Sequence, residues 1–310
     1  MRIGDLSGQA LHERMSSDGI SIAIPPVTVR VRTPLRLFAE HLRALYGEYE
    51  IVDTHEFADA DLRLLPARGI RRRLRPQVEF IVDGVMPFER VPIDHALPMF
   101  EWGLNWVFCN RVNQYLLLHA AVVERNDRAV LLPAWPGSGK STLAASLSCR
   151  GWRFLSDEFA VVSFDDAKVL PFARPAALKN ESIAVMRAFD AEAFIGPVFP
   201  KTRKGDVAHF RVPIESVRRA REPARIGAIV FPDFQVGAAV ELLPLGRTTA
   251  FLKLAGNSFN YEVVGERGFR AVASIIERCP SYILRYGDLS AAHAALHEVV
   301  RGAVPARALQ

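Results

Sequence analysis

Apolar and polar positions change period several times along the first hundred residues. In ISIAIPPVTVRVRT β-branched side chains dominate, and the alternation of VTVRVR predicts a strand with its charged face in water. PLRLFAEHLRALYGEY switches to helical spacing. Leu37, Phe38, Leu42 and Leu45 fall on one face of an amphipathic helix, and Gly47 follows as a C-cap. DADLRLLPA and PQVEFIVDG return to strand patterning, the second ending in an Asp-Gly turn. Together these elements predict a small α+β N-terminal domain over residues 1–110, and nothing in it carries recognisable chemistry.

Beyond it, the stretch 99–124 opens as a helix and ends in a buried strand, YLLLHAAVVE. Asn126, Asp127 and Arg128 make a turn into a second apolar strand, AVLLPA. A glycine-rich loop follows, then the helix STLAASLSCR with Gly151 at its C′ position, then the strand WRFLSDEFAVVSF. This order predicts an α/β domain over residues 111–310, with the boundary near 98–112. There is no internal repeat and no low-complexity segment.

Composition narrows the class. Half of the 310 residues are hydrophobic and 24% are charged, the balance of a folded chain with ample length for a core. No apolar run approaches the ~18–20 residues of a membrane helix, so no membrane association is expected. The polar N-terminus, MRIGDLSGQALHERMSSDG, lacks the apolar stretch of a secretory signal. Cys109, Cys149 and Cys279 are too widely spaced for a disulfide framework or a metal knuckle. They read as buried free thiols, and a cytoplasmic location is expected. The net charge of +5 is concentrated in part at 68-RGIRRRLR-75, where five of eight residues are arginine. A nucleic-acid footprint usually has more basic residues and interleaved aromatics, so nucleic acid is not the expected partner. A solvated loop or a docking patch for an anionic partner is the favoured reading.

The chemistry lies in 133-PAWPGSGKSTLAASLSCRGWRFLSDE-158. Ala134, Trp135, Pro136, Gly137, Ser138, Gly139, Lys140 and Ser141 match the phosphate-loop (Walker A) pattern, with alanine for the first glycine, and Thr142 follows. Successive backbone N–H groups in such a loop face a concavity for phosphate oxygens, and the following helix adds its positive N-terminal end. Lys140 is placed to reach the β- and γ-phosphates of ATP, and the Ser141 hydroxyl to ligate Mg²⁺. Trp135 either shields an adenine face or packs. Asp157 and Glu158 follow Lys140 by only 17 and 18 positions, on the strand after the helix. There they are candidates to ligate Mg²⁺ and to deprotonate an acceptor hydroxyl. His119 interrupts the apolar strand before the loop, as a catalytic residue or a satisfied core histidine. Lys201, Arg203, Lys204, Gly205 and His209 form a second basic cluster, either a mobile loop over the phosphates or a solvated turn.

These motifs resemble those of the HPr kinase/phosphorylase family. The features that match are LLLHAAVVE, AWPGSGKS, CRGWRFL and the acidic pair in SDE. More narrowly, RPQVEFIVDG, EWGLNWVF, RPAALKNESI, TRKGDVAHFRVP and LPLGRTTAFLKLAGNSFNY are similar to the HprK-related kinase A group, over most of the chain. For the parent family the likeness covers about residues 115–260. The resemblance implies a P-loop kinase core of the HPr kinase / phosphoenolpyruvate-carboxykinase-like type and an ATP- and Mg²⁺-dependent serine kinase acting on a protein or peptide. It also implies oligomer formation. By position, Asp157 resembles the general base, His119 the histidine near it, and Arg247 the arginine that steadies transferred charge. Glu158 replaces an aspartate, and the family's phosphorolysis segment is not reproduced around Leu178–Glu181, although Glu181 is a candidate second Mg²⁺ ligand. A small-molecule or nucleotide kinase and a non-catalytic ATP-gated regulator or assembly protein are the alternatives.

Overall fold

The structure is a computed structural model that describes residues 1–53, 57–69, 74–135 and 137–302. Arg71, Arg72 and Arg73 of the arginine cluster, and Pro136 of the phosphate loop, lie outside the described residues. The fold is mixed α/β. Its first part is a six-stranded sheet of β1 (Ile20–Ile24), β2 (Val27–Arg32), β3 (Ile51–Val52), β4 (Ala60–Pro66), β5 (Gln77–Val82) and β6 (Val91–Pro92). The strand order is β3-β1-β2-β4-β5-β6. Helices α1 (Gly8–Ser16) and α2 (Arg36–Tyr46) bury Leu11, Met15, Phe38 and Leu42 in the core beneath it.

The extended stretch over residues 20–32 is a hairpin, with Ile24 opposite Val27 and the turn at Pro25 and Pro26. In β2, Val27, Val29 and Val31 are buried, whereas Thr28, Arg30 and Arg32 are only half-buried. Arg32 on that face lies 3.3 Å from Asp61, so the charged side is satisfied across the sheet as well as by water. Asp83 and Gly84 have φ values of 47° and 84°. Two consecutive positive φ values make the primed turn that Asp-Gly favours, here closing Val82 onto Val85.

Helix α3 (Ala96–Arg111) occupies the stretch around 98–112 and is buried along most of its length. It passes so close to β5 that a Cβ on Gly103 would sit 2.0 Å from the Phe80 ring, which no other residue type allows. Phe100, Leu104 and Phe108 belong to a core that continues into Leu117, Phe159 and Phe172. The Phe108 and Phe172 rings stack with centroids 4.0 Å apart.

The chain then runs β7 (Leu116–Arg125), β8 (Arg128–Pro133), α4 (Lys140–Ser148), β9 (Arg153–Ser156), β10 (Phe159–Val162) and β11 (Lys168–Leu170). Next come β12 (Ala176–Lys179), α5 (Glu181–Phe189), β13 (Phe199–Thr202), β14 (Gly205–Phe210), α6 (Ile214–Arg218) and β15 (Ala224–Phe234). The last elements are β16 (Glu241–Pro244), α7 (Arg247–Gly256), α8 (Tyr261–Val264), α9 (Glu266–Arg278), β17 (Ser281–Tyr286) and α10 (Leu289–Arg301). An eight-stranded mixed sheet has the order β11-β10-β7-β8-β15-β17-β16, with β9 also paired to β7. Strands β8, β15 and β17 are parallel to one another. Helices α4 and α10 cover one face, and α7 and α9 the other. Burial on both faces explains why β7, β8, β9 and β10 read as continuous apolar runs rather than alternating ones. A separate three-stranded sheet, β12-β14-β13, stands beside α4. Among the described residues no helix is long and apolar enough to cross a membrane.

Candidate functional site

Strand β8 ends at Pro133, and the chain turns through the glycine loop into α4. Gly137 and Gly139 have φ values of 95° and 84°, the left-handed region that glycine adopts without strain. Gly139 is the N-cap of α4 and no side chain caps it, so the first N–H groups of the helix are open to an anion. Ala134 is buried, Ser141 and Thr142 are half-buried, and the Ser138 hydroxyl donates to the Trp135 carbonyl at 2.8 Å. Trp135 is 69% exposed, so its indole is not part of the core. Gly151, at φ 82°, lies two residues past the C-cap Cys149 rather than at C′.

Lys140 is buried, and its ammonium lies 2.9 Å from Nε2 of His119 on β7. An ammonium has only donors, so Nε2 accepts and the ring proton sits on Nδ1. Burial, reinforced by the Lys140 charge, lowers His119 to about 4, which keeps the ring neutral. Asn257 fixes the backbone on either side, accepting from His119 N and donating Nδ2 to His119 O, each at 2.7 Å. Phe259 covers the ring at a centroid distance of 5.1 Å.

Asp157 and Glu158 were expected within one strand; they instead form a bend between β9 and β10. The Ser156 hydroxyl accepts from the N–H groups of Glu158 (3.2 Å) and Phe159 (3.0 Å). Such a turn breaks the alternation by which neighbouring strand residues face opposite sides. Glu158 Oε1 thereby reaches 3.5 Å from His119 Nε2. Asp157 is buried and accepts the Ala177 N–H of β12 at 3.0 Å.

The two carboxylates titrate in opposite directions. Burial raises Asp157, and although the Arg174 guanidinium pulls it down, the net shift is upward. Burial also raises Glu158, but the charges of Lys140 and Arg174 overcome it and leave a lowered value. Lys140 itself is lowered by burial, with Glu158 and Asp157 opposing. One acid is therefore the stronger proton acceptor and the other a committed anion, side by side.

Sequence reasoning did not single out the network behind Asp157. Arg174 is buried, donates to Glu101 Oε2 on α3 at 2.6 Å and contacts Asn105 Oδ1. Tyr46 on α2 donates to Glu101 Oε1, also at 2.6 Å. Burial lifts Glu101 to about 7 against the pull of Arg174. The one available signal was Glu101 itself, a carboxylate within the apolar run ALPMFEWGLNWVF. Arg174 offered none.

The other expected residues are spread more widely. Lys204 lies between β13 and β14 with its ammonium 5.7 Å over the Trp102 ring, and Arg203 pairs with Glu89. Lys201 N–H donates to Asp206 at 2.9 Å. His209 is buried, held neutral near 3 by burial, and neither ring nitrogen has a partner among the described residues. Glu181 opens α5 and is exposed. Arg247 opens α7, whereas Asn257, beside His119, follows its last residue. Ten helical residues, about 15 Å, separate them, so the structure does not bring Arg247 to Lys140. Among the described residues no group of three or more histidine, cysteine, aspartate or glutamate side chains is placed to hold a metal ion. All three cysteines are free thiols; Cys279 is buried and Cys109 and Cys149 are half-buried.

With this geometry in place, comparison with protein-family models and with curated proteins found no match.

Neutral buried histidines set an acid limit on stability. His119 and His293 are lowered to about 4 and His209 to about 3, each first by burial. Below 6.5 the unfolded chain takes up protons that the native chain refuses, so stability falls as pH drops from 6.5 toward 4. Glu101, raised to about 7, works in the opposite sense between 4.5 and 7 and offsets part of the loss. Urea unfolding is expected to show lower stability at pH 5 than at pH 7, by roughly 1–2 kcal/mol per uncompensated histidine. Equal stability at the two pH values would contradict the neutral-histidine assignment.

Proposed function

We propose that the protein is an ATP- and Mg²⁺-dependent kinase that phosphorylates a hydroxyl, the serine of a protein or peptide. We place it in the cytoplasm, on a P-loop kinase core of the HPr kinase / phosphoenolpyruvate-carboxykinase-like type. The observation that carries this reading is the meeting of Lys140, His119 and the Asp157-Glu158 bend at the uncapped N-terminus of α4. The motif resemblance supports the same class.

The residues present suit the ligands. Gly137 and Gly139 leave the loop N–H groups open for phosphate oxygens. A hydrated Mg²⁺ is held by one or two carboxylates together with substrate phosphates; here Glu158, with Asp157 adjacent, would supply the carboxylate and Ser141 a hydroxyl. When bound, the ion neutralises phosphate charge. Lys140 exchanges its contact with neutral His119 for phosphate oxygens, a move that costs little because the imidazole carries no charge. Asp157, buried and raised, accepts the acceptor hydroxyl's proton, while Glu158 remains ionised. Equilibrium dialysis with Mg²⁺ tests the first step. ATP is expected to bind the wild type and to bind Lys140→Ala about tenfold or more weakly. No ATP binding by the wild type would remove the reading.

The placement of Arg247 away from Lys140 favours a second reading, an ATP-gated regulator or assembly protein that binds nucleotide without transfer. Such a protein would change oligomer size or partner binding with ATP and label no acceptor.

A further inference from the structure

A well-formed cavity lies away from the phosphate loop. It opens at the opposite end of the sheet, where the parallel strands β8, β15 and β17 begin, with Arg128, Arg225 and Ser281 on its wall. Strand β8 has six residues, so about 20 Å of strand separates this cavity from the loop that follows Pro133. Its volume is about 1040 Å³, that of a small-molecule cleft.

Its charge is one-sided. Seven arginine or lysine side chains line it against three carboxylates. Four of the cations are committed: Arg153 to Glu124 and Glu222, Arg219 to Glu222, Lys168 to Asp166, and Arg128 to the Val300 carbonyl. The guanidinium groups of the other three, Arg225, Arg247 and Arg278, have no hydrogen bond or ion pair among the described residues. Glu222 is already shared by two arginines, so only Asp127 and Glu277 remain to balance them. On the cavity wall, Ser281 is buried and its hydroxyl has no hydrogen-bond partner among the described residues. Three guanidinium forks around one cleft with few carboxylates leave it strongly positive. They suit a ligand with several phosphate groups, each able to take a bidentate pair.

We infer that this cavity is a second ligand site, taking a small organic anion with two or more phosphate groups between Arg225, Arg247 and Arg278. The site stands apart from the phosphate loop and does not depend on the kinase reading. It also gives Arg247 a place in binding chemistry away from Lys140.

Pyrophosphate, the smallest such anion, is the probe, titrated calorimetrically into the full chain carrying Lys140→Ala to weaken the loop. That protein is expected to bind pyrophosphate. Adding Arg225→Gln and Arg278→Gln is expected to raise the dissociation constant about tenfold or more with an unchanged thermal midpoint. Both arginines are exposed, so the fold tolerates the exchange. With Lys140 intact, the same pair of changes should leave the Lys140-dependent component of ATP binding as in the wild type. The proposal is overturned if the Lys140→Ala protein binds no pyrophosphate, or if its binding is indifferent to the two arginine changes. ATP binding that does not depend on Lys140 would count against the kinase reading and leave this site standing.

Discussion

Asp157→Asn is expected to lower phosphoryl transfer about 10²–10⁴-fold while ATP still binds, the range for loss of a positioned general base. Asparagine keeps the shape and an oxygen for the Ala177 N–H, so the bend between β9 and β10 should persist. What it loses is proton affinity. Asp157 is raised by burial, so it takes a proton more readily than Glu158, which Lys140 and its neighbours hold ionised. Glu158→Gln should therefore act differently, weakening the Mg²⁺ dependence rather than removing the base. Steady-state transfer at saturating ATP, with binding measured in parallel, separates the two. Full transfer by Asp157→Asn would sink the base assignment.

Arg174→Met should be the most damaging single change to stability, by about 3–5 kcal/mol, because it leaves the Glu101 carboxylate buried without its cation. The geometry is demanding: Glu101 and Arg174 are both only 4% exposed at the side chain, and their contact is 2.6 Å. Among the described residues Tyr46 alone would remain as a side-chain donor to Glu101. Removing both charges, as Glu101→Gln with Arg174→Met, should recover much of the loss, since no unpaired ion is then buried. Urea unfolding of the two single variants and the double variant closes this cycle. A loss below about 1 kcal/mol for Arg174→Met would show that the pair is not dry.

The same network shows where sequence reading stops. Local signals were legible: the alternation of VTVRVR, the amphipathic face of α2 (except Leu37, which is 51% exposed where the face was expected to include it), the Asp-Gly turn at Asp83 and the strand, loop and helix around Gly139 all depend on neighbours in sequence. Three features were not. The bend at Asp157 depends on a Ser156 hydroxyl that turns the chain, a signal easily lost inside an apolar run. The partnership of Glu101 with Arg174 joins residues 73 positions apart. Arg247 follows LPLG, and only the direction of α7 decides which end of the sheet it occupies. Residue types can nominate a site, but chain direction and burial decide which nominees meet.

The most direct measurement is transfer of label from γ-labelled ATP with Mg²⁺, by the full chain alone and with extract of its source cell, comparing wild type with Lys140→Ala. The account predicts a labelled protein or peptide with the wild type and a loss of about 10²–10³-fold in rate with Lys140→Ala, as for one electrostatic group lost from the transition state. ATP binding by the wild type with no labelled acceptor of any size would contradict the kinase reading and favour the nucleotide-gated protein.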